Sequence, residues 1–176
     1  MKKLLSMMLA LVMVFAVIAC TPQAPETPEE VTGETYDTGE FTALVPEGWM
    51  AFPSSDMWDE YEGDYDPTGL QICKDAKSEW DLFSKPCITI NYYEDATEFV
   101  SAKSWYDDAQ DITPFDLGNY SWTGYTATSL DLPYTILEGT DGVSVMQVSI
   151  LTENSGNSIA LEDADVQAII MSILAN

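Results

Sequence analysis

The densest group of chemically active side chains is residues 56–66, "DMWDEYEGDYD", where six carboxylates and three aromatic rings share eleven residues. Clustered carboxylate oxygens suit Ca²⁺, which takes about six to eight oxygen ligands. The spacing does not follow the EF-hand pattern, so a solvated acidic loop is the competing interpretation. The candidate calcium ligands are Asp59, Glu62, Asp64 and Asp66.

The same stretch carries aromatic side chains that are costly to leave in water. Surface loops on a rigid scaffold often carry function, and aromatic residues held at a surface are typical binding anchors. Trp58, Tyr61 and Tyr65 are therefore candidate binding residues. We expect them to recognise a basic partner at the cell envelope or a cation, unless one of them merely holds the loop against the sheet.

Cys73 and Cys87 stand at the facing ends of two apolar runs, "GLQIC" and "CITINYY". If these runs form a hairpin, the two thiols lie opposite each other. Disulfides persist in exported proteins, so the pair is a candidate disulfide. The alternative is that each cysteine is a small buried apolar side chain. No C-x-x-C motif is present, which argues against a redox role.

The charge inventory excludes several mechanisms. The chain has no His and no Arg, and six Lys against thirty acids give a net charge of -24. Relays that depend on His are absent, as is the bidentate phosphate clamp of Arg. Nucleic acid is an unsuitable partner because its binding depends on clustered basic side chains.

Carboxylates remain as the charged chemistry, and two of them across a cleft could hydrolyse a glycosidic bond. No pair in the linear sequence is placed in that way. We therefore expect a non-catalytic binding or accessory protein that needs no cofactor. The alternative is a small carboxylate-dependent hydrolase that calcium assists.

The N-terminus has the layout of an export signal. Lys2 and Lys3 precede a predominantly apolar segment of sixteen residues at 4–19, which is short for a membrane-spanning helix. The run ends in "VIAC", which resembles the lipobox of bacterial lipoproteins. The resemblance implies cleavage after residue 19 and a lipid, including palmitate, on Cys20, which would hold the protein on the outer face of the bacterial cell membrane.

A flexible tether is expected to follow Cys20. Residues 20–37 are rich in Pro, Glu and Thr and contain too little apolar surface to form a core. Cleavage would remove two Lys and no acid, leaving four Lys against thirty acids, a net charge of -26. Such a chain is repelled by anionic lipid, so the lipid would provide the anchoring. The remaining residues, 38–176, are long enough for one domain.

The apolar patterns in that domain predict strands near both ends and in the middle. Alternating runs occur at 41–45, 119–130, 134–139 and 143–151, and a long acidic loop is predicted at 53–68. A helix is predicted from Asp95 to Ala109, with Asp95 as its N-cap. A second helix should close the chain, where Val166, Ile169, Ile170, Ile173 and Leu174 form an apolar stripe.

These elements indicate an α+β domain, a mainly antiparallel sheet flanked by helices. A strand leading into "VPEGW", a middle helix, the "TGYTA" strand of a meander and a closing helix together resemble the PsbP/Mog1-like fold. That family includes a photosystem II accessory subunit, a Ran-binding nuclear factor and many bacterial lipoproteins. Its members differ in function, so the resemblance concerns the fold.

Overall fold

The computed structural model describes residues 31–57, 60–61 and 64–176. Within them the main feature is an eight-stranded antiparallel sheet, in the order β3-β4-β5-β10-β9-β8-β6, with β7 also paired to β8. Its strands are β3 (Trp49–Ser55), β4 (Tyr65–Lys74), β5 (Cys87–Tyr93), β6 (Gln110–Asp111), β7 (Phe115–Leu117), β8 (Tyr120–Ser129), β9 (Leu132–Thr140) and β10 (Val145–Leu151).

A smaller layer covers one face of this sheet. It combines the α-helix α1 (Ala164–Ser172) with a three-stranded sheet of order β1-β2-β13. The remaining strands are β1 (Gly33–Asp37), β2 (Phe41–Pro46), β11 (Glu153–Asn154), β12 (Asn157–Ser158) and β13 (Leu174–Ala175), of which β11 and β12 form a hairpin of their own. This arrangement is the α+β, mainly antiparallel class that the sequence predicts.

The main core lies between these two layers. The large sheet contributes alternate residues such as Ile72, Ile90 and Val148, which pack with Phe41 of β2 and Ile169 of α1. All five side chains are fully buried. Alternation along each strand explains the set, because every second side chain points to the same face.

The opposite face of the sheet is covered in part by the chain between β5 and β6. Trp122 and Tyr125 lie on opposite faces of β8, as the alternation predicts, yet both are buried. Trp122 belongs to the main core, while Tyr125 packs against Tyr106 and Ala109 in a second, smaller cluster. Because both faces of the sheet are covered at this point, both rings are buried.

The ordered domain begins earlier than residue 38. Gly33–Asp37 forms β1, which pairs with β2 from Gly33 opposite Pro46 to Asp37 opposite Thr42. The predicted tether of residues 20–37 is therefore wrong over its last five residues. Polar composition hid this strand, because an edge strand with exposed side chains needs a partner's backbone hydrogen bonds rather than apolar burial.

The predicted loop at 53–68 is also shorter than expected. Strands β3 and β4 continue pairing to Ser55 opposite Tyr65, with a register shift after Pro53. The register shift accommodates residues 66–69, "DPTG", within β4. In the sequence these turn-forming residues indicate a loop.

The helix predicted at 95–109 is not formed. The structure has only a 3₁₀ turn there, Ala102–Trp105. The carboxylate of Asp95 accepts hydrogen bonds from the backbone nitrogen and the hydroxyl of Thr97, at 2.8 and 2.7 Å. Such a local Asx turn competes with helix initiation, and the packing of Tyr106 and Ala109 against Tyr125 replaces a helical face.

The closing helix is confirmed, but its stripe is shorter than predicted. Val166, Ile169 and Ile170 are buried on α1, and Ile173 is buried as its C-cap residue. Leu174 is 52% exposed because the chain becomes extended there and pairs with β2 opposite Thr42. No helix in the described part of the chain is long and apolar enough to cross a membrane.

Candidate functional site

A cavity of about 550 Å³ opens at one end of the large sheet. Its floor is formed where β4 begins and β5 ends, by Thr68, Tyr92 and Tyr93. The turn between β1 and β2, the loop between β3 and β4, and the segment after β5 supply its walls. The cavity has a volume typical of small-molecule sites.

Four aromatic rings line this cavity: Tyr61, Tyr92, Tyr93 and Phe99. Tyr93 and Phe99 meet edge to face, with ring centroids 4.9 Å apart. Tyr61 and Tyr93 are 37% and 38% exposed, so part of each ring remains open to a ligand. The edge-to-face contact fixes the orientation of two of the rings.

Electrostatics keep the two exposed phenols neutral. Burial raises the pKa of Tyr61, and the Asp66 carboxylate raises it further. Burial also raises the pKa of Tyr93, with Glu138 adding to the effect. A neutral phenol retains its hydroxyl donor and an electron-rich ring face, which attracts cations.

Four acids share the cavity with these rings: Glu40, Glu94, Asp95 and Glu98. The hydrogen bonds from Thr97 lower the pKa of Asp95, so its carboxylate remains charged well below neutral pH. Among the described residues, no Lys lines the cavity. The two ion pairs found among the described residues, Lys74–Asp165 and Lys103–Asp111, lie elsewhere.

The described part of the cavity therefore combines negative charge with aromatic surface and contains no basic side chain. A cation placed there would gain Coulomb attraction from the acids and a cation–π contact with a tyrosine ring. An anion would be repelled. The arrangement suits an alkylammonium group, such as a Lys side chain of a partner or a small organic amine.

Of the three aromatic residues predicted for binding, the structure brings one to this cavity. Tyr61 lines it, and its backbone nitrogen donates to the Asp56 carboxylate at 2.9 Å, which closes the loop. Tyr65 is 59% exposed on β4 and is not among the lining residues. Trp58 lies outside the described residues.

The predicted calcium ligands are only partly described, because Asp59 and Glu62 lie outside the described residues. The Asp66 carboxylate accepts hydrogen bonds from the backbone and hydroxyl of Thr68, at 2.8 and 2.6 Å. Within the described ranges, no three or more acidic, His or Cys side chains are grouped as metal ligands would be. The calcium site with Asp59, Glu62, Asp64 and Asp66 stays a prediction.

The two cysteines are direct register partners on β4 and β5. Directly opposed residues of antiparallel strands have Cα atoms about 4.5–5.5 Å apart, within the range of a disulfide. Both are free thiols in this structure. Burial raises the pKa of Cys73, and burial with the neighbouring Cys73 raises the pKa of Cys87 to about 11. The disulfide itself stays a prediction.

Trp49 of the "PEGW" turn has a structural role. It is 8% exposed, and its indole nitrogen donates to Asp165 of α1 at 3.1 Å. Lys74 reaches the same carboxylate at 3.7 Å and lies 5.7 Å from the indole centroid. The preceding Gly48 has φ +84°, a conformation that favours glycine.

Sequence reasoning missed most of the cavity. Tyr92 and Tyr93 were predicted as part of a strand and Phe99 as part of a helix, without any functional role, and Glu40 was given no role at all. The available signal was "NYYEDATEF" at 91–99, which interleaves acids with aromatic residues as the 56–66 stretch does.

Comparison with known proteins gives little beyond this geometry. No protein-family model matches the chain, and no curated protein matches it. Among solved structures, the chain is similar to a crystal structure from Bacteroides thetaiotaomicron VPI-5482, with 11% identity and a TM-score of 0.46. The match covers 82% of this chain and 48% of that one, so this chain spans about half of that protein's length.

Proposed function

We propose that the protein is a lipid-anchored, extracytoplasmic binding module that captures a cationic group in the cavity at the end of β5. The observation that carries this proposal is the lining, in which the described residues supply four carboxylates, four aromatic rings and no basic side chain. A partner that presents a Lys side chain, or a small organic amine, fits that chemistry.

The non-catalytic part of the proposal rests on how the acids are placed. Glu40, Glu94, Asp95 and Glu98 are all exposed, whereas catalytic carboxylates are commonly tuned by burial. Hydrogen bonds from Thr97 lower the pKa of Asp95. A permanently charged acid attracts a cation but is a poor proton donor at neutral pH.

The proposed location is the outer face of the bacterial cell membrane, with the lipid on Cys20. Its support is the sequence, in which a basic start, an apolar run and "VIAC" precede a polar tether. Cys20 lies outside the described residues. Mass spectrometry of the membrane fraction should find a diacylglyceryl-modified N-terminal Cys20, and a mature start at another residue would refute the anchor.

For the fold, we infer a PsbP/Mog1-like arrangement. The support is the strand leading into "VPEGW", the β8-β9-β10 meander and the closing helix packed on the sheet. The chain departs from that pattern between β5 and β6, where a 3₁₀ turn occupies the place of the middle helix. The inferred fold does not select a function.

Calorimetric titration with a trilysine peptide and with tetramethylammonium tests cation capture. The Glu94→Gln/Glu98→Gln variant should bind both probes more weakly. Replacing Tyr93 with Ser should remove a cation–π contact of about 0.5–2 kcal/mol, which is about a two- to thirtyfold loss of affinity.

A matched control separates the cavity from the overall charge of the chain. Glu153→Gln/Glu162→Gln removes the same number of exposed acids at positions that do not line the cavity. This control should keep most of its affinity at physiological salt, since distant surface charges are screened. Equal losses in the two double variants would mean that the probes bind the general negative field, and the cavity proposal would fail.

A further inference from the structure

The connection between β4 and β5 carries two exposed aromatic side chains. Trp80 and Phe83 are 81% and 79% exposed, and their ring centroids are 6.2 Å apart. They lie on the 3₁₀ turn Glu79–Phe83, where residues three apart project from the same side. We call residues 77–85 the aromatic tip.

The aromatic tip is held in shape by its own hydrogen bonds. The Asp81 carboxylate accepts from the backbone nitrogens of Lys77 and Ser78, at 2.8 and 3.1 Å. Those bonds also lower the pKa of Asp81, with the Lys77 nitrogen as the largest contributor. These hydrogen bonds hold both aromatic rings in an exposed position. Exposed apolar surface of this kind typically marks an interaction site.

The charge at the tip differs from that of the rest of the chain. Three of the four Lys in the described domain lie at 74–85, namely Lys74, Lys77 and Lys85. Residues 77–85 contain two Lys and two acids and are therefore neutral, in a chain whose net charge is -24. Unlike the chain as a whole, this segment carries no net charge that would repel an anionic lipid surface.

The chain enters the domain at the same end. The carbonyl of Thr32 accepts from Glu47 at 3.0 Å, and the carbonyl of Gly48 accepts from Asp75 at 2.8 Å. The β2–β3 turn, residues 47 and 48, therefore contacts both the first described residues and the start of the β4–β5 connection. The cation cavity lies at the other end of β5, which at about 3.3 Å per residue places it about 20 Å away.

We propose that the aromatic tip inserts Trp80 and Phe83 into the interfacial layer of a lipid bilayer, and so orients the domain with its cavity facing away from the membrane. Aromatic rings with flanking Lys are favoured at that interface. Eleven residues lie between Cys20 and Thr32, and a chain of that length reaches at most about 40 Å, which limits how far the tip can lie from the bilayer. This step rests in part on the proposed anchor.

The test uses the full chain bound to phosphatidylcholine vesicles, with and without brominated acyl chains. Brominated lipid should quench the tryptophan fluorescence, and Trp80→Ser/Phe83→Ser should remove most of that quenching. The matched control is Trp105→Ser, because Trp105 is also 79% exposed but lies outside the tip. The control should retain the quenching. Residues 1–19 contain no Trp, so the signal reports the domain alone.

Flotation of the vesicles and mass spectrometry of Cys20 separate this proposal from the anchor. A chain that floats but shows no Trp80-dependent quenching overturns the tip proposal and leaves the anchor standing. A tip variant that loses a protein partner without any lipid quenching also overturns it. If quenching depends on Trp80 while Cys20 carries no lipid, the tip proposal holds and the anchor fails.

Discussion

Ile170 should be among the most sensitive apolar positions in the closing helix. Its side chain is fully buried in the main core, between α1 and the large sheet. Changing Ile170 to Ala removes three carbon atoms, worth about 0.8 kcal/mol each on burial. An unrelaxed cavity of about 50 Å³ would add about 1 kcal/mol. The free energy of unfolding should therefore fall by about 2.5–4 kcal/mol.

Urea unfolding followed by circular dichroism measures this loss, and thermal unfolding should show a decrease in Tm of roughly 5–15 °C. Met171→Ala is the matched control, because the neighbouring side chain is 51% exposed. Met and Ala have similar helix propensities, so the free energy of unfolding of this variant should change by less than about 1 kcal/mol. If the two variants unfold at the same midpoint, α1 does not dock on the sheet through Ile170 and the layered core is wrong.

Three further predictions follow from buried or hydrogen-bonded groups. Oxidised protein should give a Cys73–Cys87 peptide on a non-reducing map, and two free thiols in that map would contradict the disulfide. Backbone hydrogen bonds from Ser144 and then Val143 lower the pKa of Asp141, so its contribution to stability exists above about pH 4 and is lost on acidification; the stability difference between Asp141→Asn and the parent should shrink toward about pH 2, and a constant difference would refute this. The buried hydroxyl of Tyr125 makes no hydrogen bond of ordinary length and angle among the described residues, although the Ser101 hydroxyl lies close enough to offset part of the rise in its pKa; Tyr125→Phe should therefore leave the unfolding midpoint unchanged or raise it, and a clear decrease would show that Ser101 is a hydrogen-bond partner.

Local sequence patterns fixed those elements whose signal is contained within a few neighbouring residues. Alternation along "CITINYY" predicts the same seven residues that form β5, and the apolar stripe predicts the buried face of α1. The facing positions of Cys73 and Cys87 follow from the hairpin alone. These features are predictable because period two and period 3.6 are properties of the backbone itself.

Only the tertiary structure decided where the cavity lies and what surrounds it. Glu40, Tyr61 and Glu98 are far apart in sequence, and they meet because the order of strands places three separate connections at one end of the sheet. The same dependence on distant partners turned the predicted helix after β5 into a covering segment for Tyr125, and made residues 33–37 a strand. The residues next to a side chain in sequence determine its local geometry, whereas the order of the strands determines which distant residues contact it. No short segment of the sequence determines that order.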